Sequence, residues 1–338
     1  MELYGGIDLH SNNNVIVLAD EQDQVVLRRR LPNELDRVLE ALAPYHKDIK
    51  GLVVESTYNW YWLVDGLIEA GFWVHLANTA AIVQYKGLKY TDDDSDARWL
   101  AKLLRLGLLP VGYIYPKEQR AIRDLLRKRG QLVRQKTANL LSVQNIITRN
   151  RGRSYSANDV KKLTPEVVEQ LLPDQNISLT VKSNLVVMGA LSEAITQIEK
   201  TVKTQVRPYP EYQGLIDVSG IGTILGLTIT LETGDINRFA KVGNYASYCR
   251  CVGSKRISNC KTKGRGNTKN GNKYLAWAYM EAANFAVRYN PQIKRYYQRN
   301  KAKTNGMIAI KTVAHKLARA CYYILRDGAE FDVQRVFT

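Results

Sequence analysis

The sequence predicts an α/β domain with a mixed sheet, then a helical arm, then a mainly helical domain. Three observations carry this prediction. The first hundred residues alternate short β-rich runs with stretches of helical spacing. From Pro116 the pattern changes to long amphipathic stripes. After Pro208 and Pro210 come a glycine-bearing turn and further helical stretches. The 338 residues therefore divide into units at 1–115, 116–207 and 208–338, each large enough for its own core.

In the first unit, "LYGGIDLH" and "NVIVLAD" are strands split by the turn-like "SNNN", and "QVVLRRRL" follows as a third. "NELDRVLEALAPY" has helical spacing behind Asn33, a plausible cap. A strand "IKGLVVES", a helix "NWYWLVDGLIEAG", a strand "FWVHLAN" and an acidic helix from "DDDSDARWLAKLL" complete the unit. A three-strand meander followed by βαβ units gives a mixed sheet. In the arm, Ile122, Leu125, Leu126, Leu132, Val133, Leu140, Val143 and Ile147 recur at three- and four-residue steps. Val187, Leu191, Ala194, Ile195, Ile198 and Val202 mark a returning helix, and the polar segment from Ser154 to Asn184 reads as short helices and loop. The stripes suit packing within the chain or self-association.

Lys and Arg number 49 against 32 acids, a net charge of +17. That excess points to polyanionic partners, nucleic acid ahead of a membrane surface. No apolar run approaches the roughly 20 residues that span a bilayer. Met1 runs straight into a strand without a secretory pattern, so a reducing cytoplasm is the expected setting. Cys249, Cys251, Cys260 and Cys321 lack a C-x-x-C pair or a nearby His, and read as partly buried free thiols. Tyr58, Trp60 and Trp62 read as core aromatics.

Against this basic background, Asp92, Asp93, Asp94 and Asp96 crowd the start of one helix. Asp93 and Asp96 lie three apart and share a face, where two carboxylates repel unless a cation neutralises them. Asp8 sits inside the apolar strand "GGIDLH", and Glu55 ends the run "GLVVES". Strand acids at these places can converge with the helix pair, in an order that resembles the ribonuclease-H-like site of Holliday-junction resolvases. Asp92 or Asp94 could replace Asp93 if the helix starts a residue differently. Farther on, "VSGIGTILG" looks like a helix-hairpin-helix turn in which Gly220 and Gly222 let backbone amides grip a phosphate. The stretch from Cys249 to Leu275 carries eight Lys or Arg and no acid, and reads as a flexible basic loop that docks on phosphates.

"GIDLH", "VVEST" and "DDSDARWLA", followed by "GIGTILGLTITLETGDINRF", "NYASYC" and "KNGNKYLAWAYMEAA", resemble the DEDD transposases of the one-hundred-and-ten insertion-sequence family, which includes relatives of the Piv DNA invertase. The resemblance implies a RuvC-like first domain whose Asp8, Glu55, Asp93 and Asp96 bind magnesium, a coiled-coil arm, and a last domain with a serine-bearing basic loop. Ser258 falls on the serine's place, although Asn259 follows it where the family usually has glycine; Ser254 is the fallback. What this implies is a DNA recombinase acting through a phosphoserine intermediate. Its expected partners are donor and target DNA, a structured bridge RNA and further copies of the chain, as dimer or tetramer, at the nucleoid. Gly220, Gly222, Lys255, Arg256, Lys261, Lys263, Arg265, Lys269 and Lys273 are the expected nucleic-acid contacts. A junction nuclease using water, or a non-catalytic scaffold, are the alternatives.

Overall fold

The structure is a computed structural model that describes residues 1–82, 92–206, 210–253, 255–265 and 270–338. Pro208, Ser254 and Lys269 lie outside the described residues, as do the side chains of Lys255, Arg256 and Arg265. The chain forms two compact units, Met1–Lys117 and Glu118–Thr338.

The first unit is the predicted mixed sheet. Its strands are β1 (Leu3–Leu9), β2 (Asn13–Ala19) and β3 (Val25–Pro32), then, after helix α1 (Leu35–Leu42), β4 (Ile49–Glu55). Helix α2 (Tyr61–Glu69), strand β5 (Val74–Ala77), helix α3 (Asp93–Arg105) and a two-residue edge strand β6 (Val111–Gly112) follow. Among the described residues the order across the sheet is β3-β2-β1-β4-β5-β6. The first three strands are an antiparallel meander, while β1, β4 and β5 run parallel. The meander is closed by short turns; the parallel strands need helical crossovers, and this is why α1 and α2 appear where they do.

Alternation along β1 assigns each side chain to a face. Leu3, Ile7 and Leu9 join Val38 and Leu42 of α1 and Leu63, Val64 and Leu67 of α2 in one core. Gly6 and Asp8 point the other way, toward α3. A Cβ on Gly6 would lie 1.9 Å from the Ala97 carbonyl oxygen and 2.8 Å from the Ala101 amide nitrogen. Only glycine lets α3 lie this close against the strand that carries Asp8. Asn33 does not cap α1: Glu34 holds that position without a side-chain cap bond. The Asn33 amide instead donates to the His10 carbonyl at 3.0 Å, and the Asn59 amide donates to the same oxygen at 2.9 Å. Between them they pin the end of β1.

The second unit begins with the long basic helix α4 (Lys117–Arg151, its first residue shared with the preceding unit), followed by short helices α5 (Ala157–Val160) and α6 (Pro165–Leu171). The returning helix α7 spans Gln175–Val206 and starts well before the predicted position. Asp174 supplies its start, accepting from the Asn176 and Ile177 amides. Leu126 of α4 packs with Val202 and Val206, and Val143 and Ile147 with Val181 and Met188, so the two helices run antiparallel. Leu179, Val186 and Val187 of α7 face outward and are exposed, so Val187 does not join the intramolecular seam.

The chain continues through α8 (Pro210–Ile216), α9 (Thr223–Thr233), α10 (Val242–Tyr248), a hairpin of β7 (Lys255–Ser258) and β8 (Lys261–Arg265), then α11 (Lys273–Tyr289), α12 (Pro291–Lys303), α13 (Gly306–Asp327) and α14 (Val333–Phe337). Leu225, Tyr279, Val313, Leu317 and Phe337 belong to its common core. Cys249, Cys251 and Cys321 are buried free thiols, whereas Cys260 is exposed. Among the described residues no helix is long and apolar enough to cross a membrane.

Candidate active site

The four acids singled out in the first unit come from three elements. Asp8 lies near the end of β1 and is 4% exposed; Glu55 is the last residue of β4. The parallel pairing of β1 with β4 runs Gly6↔Val53 and Ile7↔Val54, so the next positions on each strand are Asp8 and Glu55. Their carboxyls are hydrogen-bonded to each other. Helix α3 brings Asp93 and Asp96 over the same face. Its start is fixed by a reciprocal cap: the Ser95 amide donates to Asp92 Oδ1 at 2.8 Å, and the Asp92 amide donates to Ser95 Oγ at 2.9 Å. Asp92 is thus spent on the cap, and Asp94 pairs with Arg28, leaving Asp93 and Asp96 turned to the sheet.

Two basic side chains not foreseen from the sequence stand against this negative charge. His10 Nε2 lies 3.4 Å from Asp8 Oδ2 and 3.2 Å from Asp93 Oδ1. Arg30 pairs with Asp93 and holds that carboxyl below the usual carboxylate range, with His10 adding to the effect. Ligand atoms of Asp8, His10 and Asp93 all lie within 4.8 Å of one another, close enough to hold one metal ion. The remaining acids respond to burial and to one another. Asp96 is raised by burial, then by the charges of Asp8, Asp93 and Asp92. Glu55 is pushed up to about 8 by burial, then by its hydrogen bond to Asp8 and the charges of Asp8 and Asp96.

A raised carboxyl stabilises the fold while it is protonated. Glu55 binds its proton in the folded protein up to about 8 but only to its ordinary 4.5 when unfolded. Stability is therefore full below 4.5 and is lost as pH rises through that window. Asp93 stays ionised throughout it, so it does not reverse the trend. In chelator, thermal melts of the protein at intervals from pH 5 to 8 will show the first unit melting earlier at each step, and Glu55→Gln will flatten the curve. A stability that climbs with pH would refute this charge balance.

The second unit carries the basic stretch, and it is a hairpin rather than a flexible loop. Asn259 and Cys260 form its two-residue turn, both with left-handed backbone at φ +49° and +57°. Ser258 is the last residue of β7, paired with Lys261 across the turn, and is exposed. The position after Ser258 needs a left-handed conformation, which glycine and asparagine both adopt readily, so Asn259 preserves the turn that a glycine would make. Lys261 and Lys263 are exposed on β8.

The root of the hairpin is held firmly. Arg250 donates from Nε to the Asn270 and Gly271 carbonyls, both at 3.1 Å, and from Nη2 to the latter at 2.8 Å. The Asn272 amide nitrogen donates to the Tyr248 carbonyl at 2.6 Å. Asn272 also caps α11, accepting from the Tyr274 and Leu275 amides, and its own amide group donates to Glu232 Oε2 at 2.7 Å. Glu232, 2% exposed, takes a two-pronged contact from Arg127 at 2.5 and 2.7 Å. The Arg127 guanidinium in turn lies 4.4 Å over the Tyr274 ring. One buried carboxylate thus ties α4, α9 and the start of α11 together.

A family model described as "Transposase", for DEDD transposases of the IS110 type, matches residues 5–149. A second, "Transposase IS116/IS110/IS902 family", matches residues 212–298. The chain belongs to the IS110 family of transposases. Relatives are named as transposases. A "Probable family 20 transposase" of Pseudomonas aeruginosa is 24% identical over 84% of this chain and 83% of its own. The "Transposase for insertion sequence element IS1328" of Yersinia enterocolitica is 21% identical over 96% and 97%. A "Putative transposase y4qE" of Sinorhizobium fredii is 26% identical over 68% of this chain, which spans 57% of that longer protein.

The first IS110 match contains Asp8, Glu55, Asp93 and Asp96, and the second contains Ser258. Gly220 and Gly222 lie in the turn before α9, with different surroundings. Gly220 has φ +90°, and a Cβ there would meet the Ala282 carbonyl at 2.2 Å, so its close approach is to α11 rather than to a ligand. Gly222, at the α9 N-cap, faces open space. Lys273, at the start of α11, is exposed. Tyr58 is 84% exposed beyond β4, contrary to the core reading, while Trp60 is buried. His10 had a signal in the sequence: it follows β1 directly, two residues after Asp8, where the strand's alternation carried one step on puts it on the same side. The charged positions 28 and 30 of "QVVLRRRL" had the same period. The Arg127–Glu232 pair spans more than a hundred residues and left no local trace.

Proposed function

We propose that this transposase cuts and rejoins DNA through a phosphoserine on Ser258, with Asp8, Glu55, Asp93 and Asp96 as the phosphate-activating acids. The observation that carries the reading is that Asp8 and Asp93 lie with His10 close enough to hold one metal ion. Burial, then the neighbouring Asp8 and Asp96, leaves Glu55 holding a proton up to about 8. A hard divalent cation fits this donor set, because carboxylate oxygens are the ligands magnesium takes. Bound there, it would neutralise charge on the attacked phosphodiester. Ser258 projects its hydroxyl from an exposed hairpin end. Attack forms an Oγ–P bond as the P–O3′ bond breaks, and the hydroxyl proton ends on the departing 3′ oxygen. Reversal with a different 3′ hydroxyl reseals the strand and restores the serine, with no nucleotide cofactor.

The lysines of the hairpin and of α11 suit the DNA and RNA backbones. Outward-facing Leu179, Val186 and Val187 on α7 recur at heptad-like spacing and support a homo-oligomer assembled through the arm. Acids in one unit and serine in the other support an active site shared between copies, guided by a bridge RNA.

Incubating the protein with its flanking RNA, donor and target DNA and magnesium will yield protein covalently attached to DNA on a denaturing gel. Ser258→Ala will remove that adduct. A specific observation also supports a water-using nuclease: Asp8, His10 and Asp93, the group able to hold a metal ion, all lie within Met1–Lys117. Nicks without an adduct, unchanged in Ser258→Ala, would establish that reading in place of the serine.

A further inference from the structure

A cavity of about 450 Å³ opens within the second unit, lined by stripes from three helices. Leu126, Gly130, Val133 and Arg134 come from α4, Ile224 and Thr228 from α9, and Lys273, Tyr274 and Trp277 from α11. Its size falls within the roughly 300–1,000 Å³ of small-ligand sites. Three features describe its occupant. Trp277, 43% exposed although it lines the cavity, is the aromatic left available there, since the Tyr274 ring is covered by Arg127 at 4.4 Å and Lys273 at 5.2 Å. Arg134 and Lys273 are exposed cations of the lining, while Glu232, which also lines it, is neutralised by Arg127. The interior between them is apolar.

Gly130 is the third feature. It lies in the middle of the long helix α4, where glycine costs about 1 kcal/mol relative to alanine. No close packing demands it: a Cβ there would meet only Arg134 Nη1, at 3.7 Å. Its effect is to keep the space open.

We propose that this cavity takes one unstacked nucleotide of the nucleic acid that the transposase handles, the base against Trp277 and the phosphate toward Arg134 and Lys273. A flat π-surface, an apolar interior and a cationic rim are the chemistry of single-strand recognition, in which an aromatic stacks on any base and a cation follows the backbone. A duplex keeps its bases stacked and cannot fill the slot. The inference rests on nucleic acid as the partner, but not on Ser258 or on the acid cluster.

The test measures binding of the full chain to fluorescein-labelled single strands of one sequence, as DNA and as RNA, and to the blunt DNA duplex. Gly130→Leu fills the slot without altering charge and favours the helix, and Trp277→Ala removes the stacking face. Each will weaken single-strand binding by about tenfold and leave duplex binding unchanged, and Gly130→Leu will not lower the melting temperature. Trp277→Phe will keep most of the affinity. A loss confined to the DNA or the RNA strand assigns the nucleotide to that polymer; a loss in both assigns it to base stacking common to the two. Unchanged single-strand affinity in both variants, or equal weakening of strand and duplex, would overturn the site while leaving the family's action on nucleic acid untouched.

Discussion

Asp8→Asn will lower strand cleavage by about a thousandfold or more and, in chelator at pH 8, raise the melting temperature of the first unit by a few degrees. The two effects have one cause. Asp8 is buried in β1 beside Glu55, and its charge is among the causes that raise both Glu55 and Asp96. An asparagine keeps the shape, removes the repulsion and can donate to Glu55. The acids therefore weaken the metal-free fold in the service of the reaction, as functional sites commonly do. DNA binding will be unchanged, because Asp8 is too buried to reach a backbone. Cleavage within tenfold of the unaltered protein would remove the acid cluster from the chemistry.

Glu232→Ala will destabilise the second unit by about 3–5 kcal/mol, the usual cost of breaking a buried, hydrogen-bonded ion pair. The substitution leaves the partly buried Arg127 guanidinium without its carboxylate and takes away the acceptor of the Asn272 amide. Denaturant unfolding, followed by a probe in the second unit, will show an earlier transition with the first unit unmoved. Combining it with Arg127→Met will recover a large part of the loss, since it removes the charge left without its carboxylate. If the double variant is as unstable as the single, the cost lies in Asn272 and the cap of α11 rather than in the charge.

Much of the first unit was legible because its physics is local. Strands β1, β2 and β4 are apolar runs bounded by turns, and a meander followed by crossovers admits few sheets. The acids were legible because a carboxylate in an apolar strand is expensive and needs a reason. Elsewhere the local signal misled. Asn33 has a cap residue's chemistry but spends it on the His10 carbonyl across the sheet. Helix α7 starts at Gln175 because Asp174 caps it, although the first ten residues look too polar for a packed helix. The hairpin around Ser258 hid its strands because "KRIS" and "KTKGR" are cationic and lack the apolar–polar alternation that reveals a strand. Gly220 also packs against α11, a contact no local pattern could show because that helix lies more than sixty residues away.

Gly6 has a wider consequence. Three regular elements carry the acids, and two of them, β1 and α3, meet at Gly6 too closely to admit a side chain. The site's dimensional tolerance is thus inherited from the sheet's own packing and owes nothing to loop length. Variation in the connecting segments can retune what the protein meets without disturbing the spacing of the carboxylates. A single methyl group at residue 6 would prise them apart.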